Sequence, residues 1–174
     1  MRQYSLFIDG NMNRSGALLV READGATRPA KRAEILAVAR ELVTTGELRR
    51  KDLSDPDKAM AFLKLRMAGL EHEVCGLILL DTQFHFITYL EPFRGTLSQA
   101  AVYPREILKL ALQHNAAALM LAHNHPSGLA EASQADIQLT KAVKQGLAFI
   151  DVRLLDHFIV GGNEVVSMAQ RGLL

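Results

Sequence analysis

Two apolar runs of strand length, Val74–Leu80 (VCGLILL) and 116–122 (AAALMLA), set the strongest limit on how this chain folds. Neither alternates polar with apolar residues. Each therefore has to be covered on both faces, as the inner strands of a helix-flanked sheet are. Helical spacing appears between and after them. Pro104 holds a first-turn position ahead of Ile107, Leu108, Leu110, Ala111 and Leu112, and 133–146 reads as a further helix. Asp81, Thr82 and Gln83 make a turn before a strand at 84–90, and strands at 152–160 and 165–168 flank Gly161-Gly162-Asn163. Strands alternating with helices give an α/β class with a mixed sheet.

The first 50 residues follow a different pattern, so the chain divides into an N-terminal extension, 1–50, and a main domain, 51–174. Segments 4–9 and 17–21 are short strand candidates around a loop at 11–16, with Asp24-Gly25 as a turn, so the extension begins as a hairpin. Pro29 opens a helix with Ile35, Leu36, Ala39, Leu42 and Val43 on one face, and Gly46 stops it. Arg49-Arg50-Lys51 lies beside Asp52, Asp55 and Asp57 and reads as a solvated linker. Ser54-Asp55-Pro56 starts a second helix whose core face carries Met60, Leu63, Met67 and Leu70; methionine there fills space.

Composition narrows the chemistry. Cys75 is the single cysteine, which excludes an intramolecular disulfide and any cysteine-built zinc knuckle. A metal site has to come from Asp, Glu and the six histidines. Lys plus Arg is 20 against 19 for Asp plus Glu, and the sequence pI is about 7.9, which disfavours a basic nucleic-acid module. Residues 1–10 lack the pattern of a secretory leader, and no run approaches the roughly 18 apolar residues of a membrane span. The expectation is a soluble, cytoplasmic chain with no membrane partner.

The segment LAHNHPSGLAEASQAD, 121–136, carries the chemistry. His123 and His125 are two apart at the end of a buried strand, so they project to the same side. Pro126 biases His125 toward extended backbone and helps keep the imidazoles parallel. Downstream, Ser133-x-x-Asp136 precedes a helix. That spacing fits a capping box, with Ser133 as N-cap, and it also fits Asp136 as a third metal ligand on the first helical turn. Both are compatible, because a helix N-terminus keeps the carboxylate ionised. Two histidines, one carboxylate and a position left for water make up a catalytic zinc site. Either Glu71 or Glu73, ahead of the first buried strand, is placed to serve as a base; spacing alone does not separate them.

His123-x-His125-Pro126-Ser127-Gly128 with Ser133-x-x-Asp136 and an upstream glutamate resembles the JAMM motif of the JAB/MPN-plus metalloproteases, and most closely their RadC branch. The resemblance runs from about Leu53 to Leu174 and is dense in GLEHEVCGLILLD, YPREILKLALQHNAAALMLAHNHPSG, LLDHFIVGG and RGLL. It implies a cytidine deaminase-like JAB/MPN fold, a mixed sheet flanked by helices. It implies Zn2+ held by His123, His125 and Asp136, with Glu73 activating the bound water and Ser133 stabilising the oxyanion. It implies a protein or peptide substrate cut at a peptide or isopeptide amide. The helix-hairpin-helix that usually opens RadC proteins is not matched by residues 1–50, which weakens a DNA partner.

Rival readings are a zinc deaminase, an HNH nuclease and a non-catalytic or DNA-repair accessory module. The deaminase needs a P-C-x-x-C element that one cysteine cannot supply. His123-Asn124-His125 spells HNH only by coincidence, since those residues are dispersed in such nucleases. Of the other histidines, His72 and His114 are expected to be exposed, His85 to lie on a solvent face, and His157 to be a satisfied core residue. Cys75 reads as an inert core thiol.

Overall fold

The computed structural model describes residues 6–7, 18–22, 24–45, 53, 55–67, 69–95 and 102–174. Among these, the strands are β1 (Leu6–Phe7), β2 (Leu19–Arg21), β3 (Thr27–Pro29), β4 (Val74–Leu80), β5 (Phe86–Arg94), β6 (Ala118–His125), β7 (Arg153–Gly161) and β8 (Glu164–Ser167). The helices are α1 (Arg32–Thr45), α2 (Pro56–Met67), α3 (Pro104–Gln113) and α4 (Gln134–Ala148).

Burial on both faces of β4 and β6 organises the main sheet, which runs β5-β4-β6-β7-β8. Every residue of β4 is buried. Its even-numbered residues Ile78 and Leu80 join Ala59, Phe62, Leu63 and Met67 of α2 on one face. Its odd-numbered Cys75, Leu77 and Leu79 meet Ile107 and Ala111 of α3 and Val143 and Leu147 of α4 on the other. Each fully buried leucine or isoleucine contributes about 1.5–3 kcal/mol before entropy is counted. β6 repeats the division, with Met120 and Ala122 toward α2 and Leu119 and Leu121 toward α3 and α4. β6 and β7 are parallel, joined through α4, whereas the β4–β5, β4–β6 and β7–β8 pairs are antiparallel. The sheet is therefore mixed and flanked by helices, as the resemblance implies.

Several boundaries differ from the sequence expectations, each for a local reason. Pro29 does not open a helix. It ends β3, paired opposite Leu19 on an edge strand, where its missing N–H is tolerated. The helix starts at Arg32, and the Glu34 carboxylate takes the Lys31 N–H at 2.8 Å while gripping the Arg28 guanidinium at 2.7 and 2.8 Å. Hydrogen bonds from Arg28 and from the Lys31 backbone hold the Glu34 carboxyl down at about 2. The extension thus carries a three-stranded antiparallel sheet, β1-β2-β3, beyond the expected hairpin.

Phe84 is not in a strand. It has φ 62°, and the Asp81 carboxylate closes the turn by accepting the Gln83 and His85 N–H groups, each at 2.8 Å. β5 begins at Phe86 and continues past the expected end at 90 to Arg94 opposite Val74, on the edge of the sheet, with Pro92 inside it. At the second helix, Asp55 accepts the Asp57 N–H at 3.0 Å ahead of first-turn Pro56. The loop at 11–16, Gly46, the run at 49–51, Ser54 and residues 96–101 lie outside the described residues. Among the described residues, no helix is long and apolar enough to cross a membrane.

Candidate metal centre

The apolar run of β6 does not stop before the histidines: the strand carries both of them, ending at His125. His123 sits opposite Cys75 of β4 and Ile159 of β7, and His125 sits beside Gly161. Alternation sends both imidazoles to the α4 face. The ends of strands beside a βαβ crossover are favoured binding positions. His123 is buried and His125 is half-buried, and their Nε2 atoms are 2.9 Å apart.

Asp136 arrives from the first turn of α4. The capping box read from the sequence is present, and it coexists with the cluster because the carboxylate divides its oxygens. Asp136 Oδ2 accepts from Ser133 N at 2.7 Å and from Ser133 Oγ at 2.6 Å, while the Asp136 N–H points to Ser133 Oγ at 3.2 Å. Asp136 Oδ1 is left facing His123 Nε2 at 3.2 Å; Oδ2 is 3.8 Å from His125 Nε2. Burial works against ionisation of Asp136, but hydrogen bonding from His123 and Ser133 outweighs it and holds the carboxyl well below the usual range. Ligand atoms of His123, His125 and Asp136 all lie within 4.8 Å of one another. Two imidazole nitrogens and a carboxylate oxygen suit a divalent transition ion.

Neighbouring groups fix these side chains. The Leu129 carbonyl oxygen is 2.9 Å from His125 Nδ1 and orients that ring. The loop holding Leu129 lies against β7, where a Cβ on Gly161 would be driven into the backbone of Leu129 and Ala130. His123 Nδ1 is 2.9 Å from His157 Nε2, and His157 Nδ1 is 2.6 Å from Thr140 Oγ1. Burial, reinforced by repulsion from His123, pushes the His157 imidazole down to about 3, so it is neutral at pH 7. His157 is thus the buried, satisfied histidine that the sequence led us to expect, although its partner is a member of the cluster.

Asn124, between the two histidines, points to the opposite face and holds the chain entering β4. Its Oδ1 accepts the Val74 N–H at 2.8 Å and its Nδ2 donates to the His72 carbonyl at 3.0 Å. Glu73 stands between those two contacts, and its own carbonyl accepts the Gly95 N–H at 2.8 Å. Continuing the alternation of β4 back from Cys75 assigns Glu73 to the same sheet face as His123. Cys75 feels both ends of the site: burial first, then the charges of Glu73 and Asp136, push its thiol up to about 12. Glu71 is exposed.

His72 and His114 are half-buried, not exposed as expected. His114 Nδ1 turns back to the Leu110 carbonyl at 2.9 Å, and His72 Nε2 lies 3.4 Å from Arg94. His85 pairs with Asp81 at 3.3 Å at the turn. A cleft of about 120 Å3 at the end of β6 is lined by His125 and Asn124 together with Met67 and Val160 of the α2-side core.

Asn124, Thr140, Gly161 and the Leu129 carbonyl escaped the sequence reading. Thr140 alone carried a usable signal, since it lies one helical turn after Asp136 on the same face.

A family model described as a RadC-like JAB domain matches residues 53–173. The UPF0758 protein of Leptothrix cholodnii is 52% identical over 149 residues, covering 84% of this chain and 67% of that protein. The UPF0758 protein of Nitrosomonas eutropha is 51% identical over 150 residues, covering 84% and 66%. One from Bordetella petrii is 47% identical over 150 residues, covering 86% and 67%. The chain therefore spans about two thirds of the length of the curated relatives it matches. With the mixed sheet, the histidine pair ending β6 and the carboxylate opening α4 in place, this chain belongs to the RadC-like JAB domain family.

Proposed function

We propose that this protein is a zinc-dependent hydrolase acting on a peptide or isopeptide amide bond. One observation carries the reading: His123, His125 and Asp136 converge at the end of β6 in a chain of the RadC-like JAB domain family. His123, His125 and Asp136 would hold zinc there, which would supply Lewis acidity and make water a better nucleophile near neutral pH. Glu73 takes the proton from the attacking water and delivers it to the leaving amine nitrogen. Its backbone is held on both sides by Asn124, which supports the role, because a base has to be fixed within hydrogen-bond reach of the proton it moves. Ser133 turns its hydroxyl from Asp136 toward the developing substrate oxyanion, a contribution of about 3–4 kcal/mol for a well-placed donor. The substrate is a protein or peptide.

Elemental analysis of the full chain tests the first step. Wild type is expected to hold stoichiometric zinc and Asp136→Ala to hold little. Glu73→Gln should keep the metal and lose cleavage across a panel of peptide and isopeptide substrates. A non-catalytic scaffold would instead show no cleavage for Glu73→Gln to remove. Wild-type protein that binds no zinc, or zinc retained after His123→Ala/His125→Ala, overturns the proposal.

A further inference from the structure

We infer that Thr140 and His157 are positioning residues that lock His123 in the tautomer whose Nε2 lone pair faces the metal cluster. The inference rests on the metal-binding reading above and deepens it.

A single hydrogen decides the wiring. Thr140 Oγ1 lies 2.6 Å from the Asp136 carbonyl oxygen, which only accepts, so the one hydroxyl hydrogen goes there. The same Oγ1 lies 2.6 Å from His157 Nδ1. Having given its hydrogen away, the hydroxyl offers only a lone pair, so His157 Nδ1 must carry the proton and donate it. His157 is fully buried, and its ring nitrogens face Thr140 Oγ1 and His123 Nδ1. It is held neutral by that burial, so its Nε2 is bare. His123 Nδ1, 2.9 Å from that bare nitrogen, donates to it. When its ring is neutral, His123 therefore keeps its lone pair on Nε2, the atom 3.2 Å from Asp136 Oδ1.

His125 reaches the same state by a separate route. Its Nδ1 is 2.9 Å from the Leu129 carbonyl oxygen, again an acceptor only, so the neutral ring carries its proton on Nδ1 and its lone pair on Nε2. Two imidazole lone pairs 2.9 Å apart and a carboxylate oxygen repel one another unless a cation or a proton sits between them. The chain Asp136 carbonyl, Thr140, His157, His123 thus begins and ends at the same aspartate. It ties the helix that brings the carboxylate to the strand that brings the imidazole. Partners of this kind, which orient a ligating histidine through its other nitrogen, are worth about 10- to 100-fold in metal affinity.

The test is Thr140→Val in the full chain, which keeps the branched shape and removes the oxygen. Zinc affinity is read by competition with a chelator of known strength, and the tautomer of His123 by nitrogen-15 NMR of metal-free protein. Wild type should show the proton of His123 on Nδ1. Thr140→Val should lose roughly 10- to 100-fold in affinity and show mixed tautomers, and Thr140→Ser should restore both. Unchanged affinity and an unchanged tautomer in Thr140→Val overturn the inference. If wild type binds no zinc, the proposed function falls while the tautomer measurement still decides this inference separately. If Thr140→Val does not fold, the wild-type spectrum decides: a neutral His123 with its proton on Nε2 and none on Nδ1 refutes it.

Discussion

Asn124→Ala removes two hydrogen bonds, one buried and one partly buried, at the point where the β4–β6 ladder ends. Asn124 is 4% exposed and Val74 is fully buried, so the Val74 N–H freed by the change cannot reach water. A stranded buried donor costs about 1–3 kcal/mol. The His72 carbonyl belongs to a half-buried residue and recovers part of its loss from solvent, so its share is about 1 kcal/mol. The sum is about 2–4 kcal/mol, a large part of the 5–15 kcal/mol typical of a domain. At roughly 2–4 °C per kcal/mol for a chain of this size, the melting temperature should fall by about 5–15 °C. Asn124→Asp sharpens the case. It keeps an acceptor for Val74 but sets a carboxylate oxygen against the His72 carbonyl, so at pH 8 it should be destabilised at least as much. Thermal unfolding gives the magnitude, and amide exchange at Val74 gives the location. A melting temperature within about 2 °C of wild type, with Val74 exchange unchanged, would refute the reasoning.

Gly161→Ala forces the Leu129–Ala130 backbone away from β7; it should cost about 1–3 kcal/mol and weaken zinc binding through His125, and wild-type values in both urea unfolding and zinc competition would sink that account. In metal-free protein, His157 has a folded pKa of about 3, below its ordinary 6.5, so unfolding takes up a proton between those values. Its contribution to stability is complete above pH 6.5 and is lost as pH falls toward 3, at up to about 1.4 kcal/mol per pH unit. Asp136, depressed below its ordinary 3.8, adds a further loss as pH falls below that value. Urea midpoints taken in chelator from pH 7 to 4 should show this decline, and His157→Gln should flatten it; a level wild-type profile contradicts the assignment. Cys75, buried and with its thiol pushed up to about 12, should resist a disulfide reagent at pH 8 and react fully in denaturant, whereas rapid labelling of folded protein would show that the site opens.

How much of this could be read beforehand depends on how far apart in sequence the interacting groups lie. The sheet core was legible because β4 and the first part of β6 are apolar without interruption, and such segments have few places to go but the middle of a helix-covered sheet. Edges were harder to read. Pro29 looked like the opening of a helix, yet it closes edge strand β3, and Pro92 sits within edge strand β5; position in the sheet removes the penalty that proline carries in a central strand. Phe84 looked like strand because it is aromatic, yet the Asp81 side chain organises the turn through it.

The cluster divides along the same line. His123, His125 and Asp136 span one strand end and the helix start that follows it, so local rules for alternation and capping nearly suffice to bring them together. The capping box and the ligand reading competed on paper only because the sequence does not say which carboxylate oxygen does what. In the fold, Oδ2 serves the helix and Oδ1 serves the cluster. The groups around the cluster come from further away: Asn124 meets Val74 and the His72 carbonyl at the entry to β4, and His157 meets His123 across the parallel β6–β7 pair. No spacing rule encodes those meetings. They follow from strand register, and a one-residue slip of β7 against β6 would turn His157 to the α2 face and leave His123 Nδ1 without its acceptor. Register between β6 and β7 is thus a property of the His123–His125–Asp136 cluster as much as of the core. The closed chain through Thr140 explains how α4, by holding His157 from the other side, helps to enforce it.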